Sequence, residues 1–188
     1  MLLSAAERIL LQKGVNALSV RKVGDAARLN PALVTYHFKS ILKLLDELCS
    51  LNLDPILAEW QSIGPGSKAG IGLDDVLRAW LGPMLRPAAM TASGRALIVI
   101  DEIASHGEPA LSDKVLGAME EFSPRLRSAV APFVQHLSAH ELRARLRFIS
   151  AAVLGPPPRN HVGQVRGEGP ALDDLDHLLR FARAALIS

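Results

Sequence analysis

The segment Leu18–Phe38 constrains this chain more than any other, because it specifies two short helices with almost no chain between them. Ser19 stands where a helix beginning at Val20 needs a side-chain oxygen for its free N–H groups. Val23, Ala26 and Ala27 recur at helical spacing and give that helix an apolar side, while Arg21, Lys22 and Asp25 fall off it. Asn30-Pro31 opens a second helix. Asparagine caps it, and proline at the first helical position brings a preset φ and lacks only an N–H that had no partner there. Ala27-Arg28-Leu29 leaves room for a turn and nothing longer, with Leu29 the residue to pack between the helices. Val34 and Phe38, four apart, face inward on the second helix. Ala32, Leu33, Thr35, Tyr36 and His37 remain for its other sides.

A helix presented in this way can enter the major groove of DNA. Thr35 can hydrogen-bond a base or a phosphate, and Ala32 and Leu33 can touch thymine methyl groups. Tyr36, His37 and Lys39 at the far end suit phosphate oxygens. Taken alone, the same pattern fits an ordinary pair of capped helices. Charge adds to the first reading: residues 1–50 carry a net +3 and the remaining 138 residues a net −1. The basic excess lies with the helix pair, where phosphate contacts need it.

Leu3-Ser-Ala-Ala-Glu-Arg-Ile-Leu-Leu-Gln-Lys-Gly14 precedes the pair, and Ser19-Val-Arg21, Tyr36-His-Phe38 and Leu44-Leu45 follow in one register. In that order and spacing the chain resembles the tetracycline-repressor (TetR) family over residues 3–50, about a quarter of its length. The resemblance implies an N-terminal three-helix DNA-binding domain and a larger C-terminal helical domain for ligand binding and dimerisation. It implies that Arg21 and Lys22 meet DNA near the start of the second helix and that Asn30 caps the recognition helix. Ala32, Leu33 and Thr35 then match groove-facing positions, Tyr36 stands beside the family's usual aromatic position, and His37 and Lys39 match backbone contacts. This chain departs from the family in three places. Thr35 occupies the usual aromatic position, Ile41 occupies a position that is commonly a phosphate-gripping Lys, and no basic run precedes the first helix.

The rest of the sequence points to an all-α protein. Ala, Leu and Arg abound, and alternating β-branched or aromatic runs are missing. The single cysteine, Cys49, excludes an internal disulfide framework and fits a reducing compartment. No apolar run reaches the ~20 residues that span a bilayer, and Met-Leu-Leu-Ser lacks the basic start of a secretory signal. No membrane partner and a cytoplasmic location are therefore expected. A boundary between residues 46 and 47 separates the DNA-binding domain, 1–46, from a helical domain, 47–188. A helix is expected from Ile41 to about Ser62, bent or broken by Pro55. Gly64–Gly72 reads as a flexible connection. An amphipathic helix follows Asp74-Asp75, a strongly apolar one covers 92–106, and a segment from Ala110 to about Leu137 is interrupted near Pro124 and Pro132.

Two amphipathic helices near the C-terminus, around 141–155 and 173–186, resemble the pair through which the family dimerises. Leu142, Leu146, Ile149 and Val153 form one stripe, and Leu175, Leu178, Leu179, Ala182 and Leu186 the other. Intrachain packing would use the same stripes. Residues 156–170 between them read as a long loop. An unknown small, hydrophobic effector is implied, with Trp80, Met84, Ile103, Met119 and Phe122 as candidate pocket residues. Catalysis is not expected. His136 and His140 have a metal-compatible spacing but lack the glutamate of a zinc-protease helix, Cys49 has no evident base, and no cofactor or metal motif occurs. The expected function is that of a ligand-responsive repressor, binding a palindromic operator in double-stranded DNA as a homodimer. The alternative is a helical ligand-binding or adaptor protein whose helix-turn-helix no longer binds DNA.

Overall fold

A computed structural model describes residues 1–64, 71–155 and 174–188. Among these it contains nine α-helices and no β-strand: α1 Leu2–Lys13, α2 Val20–Ala27, α3 Ala32–Phe38, α4 Ile41–Trp60, α5 Leu73–Met84, α6 Ala96–His106, α7 Pro109–Val130, α8 Ala139–Leu154 and α9 Leu175–Ile187. Most of the expected connection at 64–72, and the loop at 156–170, lie outside the described residues. No described helix is long and apolar enough to cross a membrane.

The chain divides into two compact units that do not follow a single cut in sequence. Met1–Asp54 and Arg86–Leu116 belong to one. Pro55–Leu85, the chain from Gly117 and the C-terminal helix belong to the other. In the first unit, Leu2, Ala5, Ala6, Val23, Ala27, Val34 and Leu44 form a core that closes α1, α2, α3 and the start of α4 around one another. The apolar helix α6 belongs here too, with Ala96, Ile98, Val99, Ile100 and Ile103 buried.

This unit also buries polar groups. Glu7 on α1 is wholly inaccessible and Asn52 on α4 nearly so. Glu7 Oε1 accepts from Asn52 Nδ2 at 3.0 Å, and Oε2 accepts from the Met90 N–H at 2.8 Å. Asn52 Oδ1 accepts from the Ala89 N–H at 3.0 Å, and its amide also donates to the Leu48 carbonyl at 2.9 Å. Two buried side chains thus satisfy backbone donors of the irregular segment before α6.

In the second unit α5 and α9 run antiparallel, laced by Arg78–Asp176 at 3.2 Å and Arg183–Asp74 at 2.6 Å. Arg145 on α8 donates to the carbonyls of Ala185 and Ser188, where α9 has run out of intrahelical partners. Pro55 and Pro124 break neither α4 nor α7. The missing proline N–H removes one bond from a helix that buries residues such as Ile56 and Leu126 beyond it, and that burial outweighs the loss. After Val130 the chain tightens into a short 3-10 turn, Ala131–Phe133, around Pro132.

Candidate nucleic-acid interface

The α2–turn–α3 unit assembles as its residues dictate. Ser19 Oγ accepts from the Lys22 N–H at 3.2 Å and starts α2. At the other end Arg28 adopts the left-handed conformation, φ 56° and ψ 40°. The Leu29 N–H then reaches back to the Gly24 carbonyl at 3.0 Å. Leu29 packs on the domain core, which is the apolar contact that accompanies such a helix end. Gly24 lets the helices close: a Cβ there would sit 2.7 Å from Pro31 Cα and 2.9 Å from its ring. Asn30 Oδ1 accepts from the Ala32 N–H at 2.9 Å, so its side chain is taken up in starting α3.

α3 is seven residues long and its faces divide sharply. Val34 is fully buried and Phe38 partly so. Ala32, Thr35, Tyr36 and Lys39 are exposed and, at helical spacing, share the opposite face. Tyr36 is 71% exposed. Lys39 Nζ donates to the Tyr36 carbonyl at 3.1 Å and lies 5.7 Å from the Tyr36 ring centre. The lysine therefore folds back over the C-terminal end of the helix. Leu33 stands apart from the outward group. It is half-buried against the domain core and lines, with Leu29, His37 and Phe38, a surface hollow of about 410 Å³ whose other side is the start of α1. His37 is exposed on this flank, its ring edge-on to Tyr36 at 5.1 Å.

Arg21 and Lys22 are exposed at the start of α2. Arg21 lies 3.7 Å from Asp25 with both side chains in water, a contact that screening leaves weak. Arg8 on α1 donates to the Ala26 carbonyl at 3.1 Å and ties α1 to the last turn of α2. The sequence reading passed over this arginine because its partner is a backbone oxygen. Ile41 is half-buried against the core. Ser40 Oγ accepts from the Lys43 N–H at 3.1 Å and begins α4. Lys114 on α7 donates to Asp46 Oδ1 at 2.7 Å and to Ser50 Oγ at 2.6 Å. The hydrogen bond from Lys114 holds the Asp46 carboxyl below its ordinary pKa. Burial pushes the Cys49 thiol above its own.

The five candidate pocket residues are divided between the two units. Ile103 is core of the first unit. In the second, Trp80 and Met84 are buried on α5 and Met119 is half-buried on α7. Phe122 lines an open groove of about 360 Å³, with Leu57, Trp60, Gln61, Glu121 and Arg125. Trp60 stacks on Phe122, ring centres 4.1 Å apart and planes 12° from parallel, and its indole N–H donates to the Trp80 carbonyl at 2.8 Å. The sequence reading missed Trp60, although an aromatic residue closing a long helix was a visible signal.

Of the nine residues expected at a dimer interface, eight are buried in the single chain: Leu142, Leu146, Ile149, Val153, Leu178, Leu179, Ala182 and Leu186. Leu175 is half-buried. A side chain covered in the single chain has little surface left to give a partner. The apolar groups that α8 and α9 leave exposed are Phe148, Phe181 and Ile187, with Ala139, Ala151, Ala152 and Ala184. His136 and His140 do not share a helix, since α8 begins at Ala139, and Glu141 is engaged in a capping box with Ser138. No group of three metal-ligating side chains occurs among the described residues.

Residues 2–48 match the family model described as bacterial regulatory proteins, tetR family. Among solved structures the chain is similar to the TetR-family transcriptional regulator PfmR from Thermus thermophilus, with 16% identity, 98% of this chain and 96% of that one covered, and a TM-score of 0.67. It is similar also to a Rhodococcus sp. protein assigned to the TetR family of transcriptional regulators, with 22% identity, 100% and 97% covered, and a TM-score of 0.63. At these identities the likeness is one of fold, and it extends over almost the whole of each chain. No curated protein matches the sequence significantly.

Proposed function

We propose, for a chain whose N-terminal domain is that of the tetR family of bacterial regulatory proteins and whose fold is that of TetR-family transcriptional regulators, that it is a cytoplasmic repressor binding a palindromic DNA operator as a homodimer. The observation that carries this reading is the exposed face of α3, on a helix anchored from behind by Val34 and Phe38. Ala32, Thr35 and Tyr36 reach base edges in the major groove. Lys39, His37, Arg21 and Lys22 meet phosphates, and Asn30 contributes by capping. Lys39 leaves the end of α3 to do so. Leu33 serves from the flank, its half-buried side chain offering one edge.

The DNA-binding part is residues 1–46, and the chain from 47 onward holds the effector and makes the dimer. An apolar or aromatic effector enters the groove beside the buried Trp60–Phe122 stack, between Leu57 and Gln61 on α4 and Glu121 and Arg125 on α7. It acts by binding better to a conformation that does not fit the operator. Phe148, Phe181 and Ile187 form the two-fold contact, because they are the large apolar side chains these helices leave uncovered. Two copies then read half-sites about one helical turn apart.

Selection from a pool of random duplexes tests the reading. The expected result is enrichment of a two-fold symmetric sequence, released by a subset of hydrophobic compounds. Failure to enrich any symmetric sequence at low salt would sink it.

A further inference from the structure

Two lysines share one carboxylate at the start of α4. Asp46 Oδ1 accepts from Lys114 at 2.7 Å, while Oδ2 lies 3.6 Å from Lys43 Nζ. The two contacts differ in kind. Lys114 comes from α7, has only 34% of its side chain exposed, and is held a second time by Ser50 Oγ at 2.6 Å. Lys43 is 68% exposed and meets Asp46 only at the longer distance, three residues along the same helix. Asp46 is thus claimed by Lys114, and Lys43 is left in water with a loose partner.

Lys43 is also the first cation of α4. Ile41 is turned into the core, and the Lys43 N–H is bonded to Ser40 in the opening turn. Helical side chains lean toward the N-terminus, so Lys43 leans toward the end of α4 that follows α3. Asp46, nearly a turn further on, draws it the other way. An exposed lysine between two anions divides itself according to modest differences in attraction. Removing a rival cation from one anion is enough to change that division.

We propose that Lys43 is the phosphate-gripping cation of α4, and that Lys114 is its positioning residue, occupying Asp46 so that Lys43 stays free for DNA. This rests on the DNA-binding reading above. Lys114 itself touches no DNA. It acts through a carboxylate on the neighbouring helix, which no pattern within residues 1–50 can reveal.

The test uses the whole chain and a duplex of mixed sequence, with log affinity measured against log NaCl concentration. Lys43→Met is expected to weaken binding several-fold and to flatten the slope by about 0.9 per subunit. Lys114→Met flattens it in the same direction but less, because Lys43 is then captured only part of the time. Lys114→Arg, which keeps a donor for Asp46, binds like the unchanged protein. Asp46→Asn added to Lys114→Met restores the slope, since the competing carboxylate is gone. In the Lys43→Met background, Lys114→Met has nothing left to remove. The assignment is overturned if Lys43→Met leaves the slope unchanged. It is overturned equally if Lys114→Met weakens binding as much in the Lys43→Met background as in the unchanged protein, which would mean that its charge acts directly through the field. Should the unchanged protein bind no duplex at low salt, the DNA-binding reading falls and this inference with it. Thermal melts monitored by circular dichroism confirm that each variant is folded, and the Asp46→Asn/Lys114→Met pair keeps the test decisive where Lys114→Met alone is unstable.

Discussion

Asp46 and Gly24 show how much the first unit depends on single groups. Asp46 has its pKa lowered in the folded chain, chiefly by the Lys114 hydrogen bond. Its contribution to stability is therefore fully present above the unfolded carboxylate value, about 4, and is lost as pH falls through the lower folded value. Urea midpoints measured at pH 6 and pH 3 should fall further for the unchanged protein than for Asp46→Asn. Equal falls would remove the ion pair from the account. Gly24 presents a steric limit. Alanine there would press on Pro31, and the atoms it meets include backbone, which has little freedom to yield. Gly24→Ala should destabilise by about 1–3 kcal/mol, the usual range for overpacking. An unchanged melting temperature in calorimetry would show that α2 and α3 can part at no cost.

At the scale of the element, α8 and α9 each have two apolar sides, one buried and one exposed. Phe148→Glu combined with Phe181→Glu should yield a monomer with an almost unchanged melting temperature. Leu146→Ala, on the buried side, should cost about 2–5 kcal/mol of stability. Sedimentation velocity and thermal melts separate the two cases, and a dimer that survives the glutamates moves the interface elsewhere. This is also where sequence reasoning met its limit. Helix spans, the Ser19 cap, the Asn30-Pro31 start and the inward Val34 could all be read, because each follows from local chemistry within a few residues. Periodicity picked out an apolar stripe on α8 and α9, but a helix rich in Leu, Ala and Phe has more than one, and only the neighbouring helix decides which is covered. Leu33 met the same difficulty. It is one residue from a buried position and one helical step from exposed Tyr36, and the domain core covers it in part. The sequence points to a bend or break at Pro55 and an interruption near Pro124, because the lost hydrogen bond is local and the burial that offsets it is not. Glu7 gave no signal at all, since its partners are an amide on α4 and an N–H before α6.

Across the whole molecule, the proposed dimer makes a prediction that neither a single domain nor a single helix can make. Each subunit brings its own set of phosphate contacts, and counterions are released in proportion to those contacts. A duplex with both halves of the selected site should therefore show about twice the salt slope of a duplex with one half. Equal slopes would mean that one subunit binds alone.

The division of α3 into a fixed back and a free front bears on how this protein could be altered. Val34 and Phe38 hold the helix, while Ala32, Thr35 and Tyr36 contribute nothing to that hold. A library randomised at these three positions should contain mostly folded members. New operator preferences can then be sought by changing the reading surface alone, with little risk that the search is limited by proteins that fail to fold.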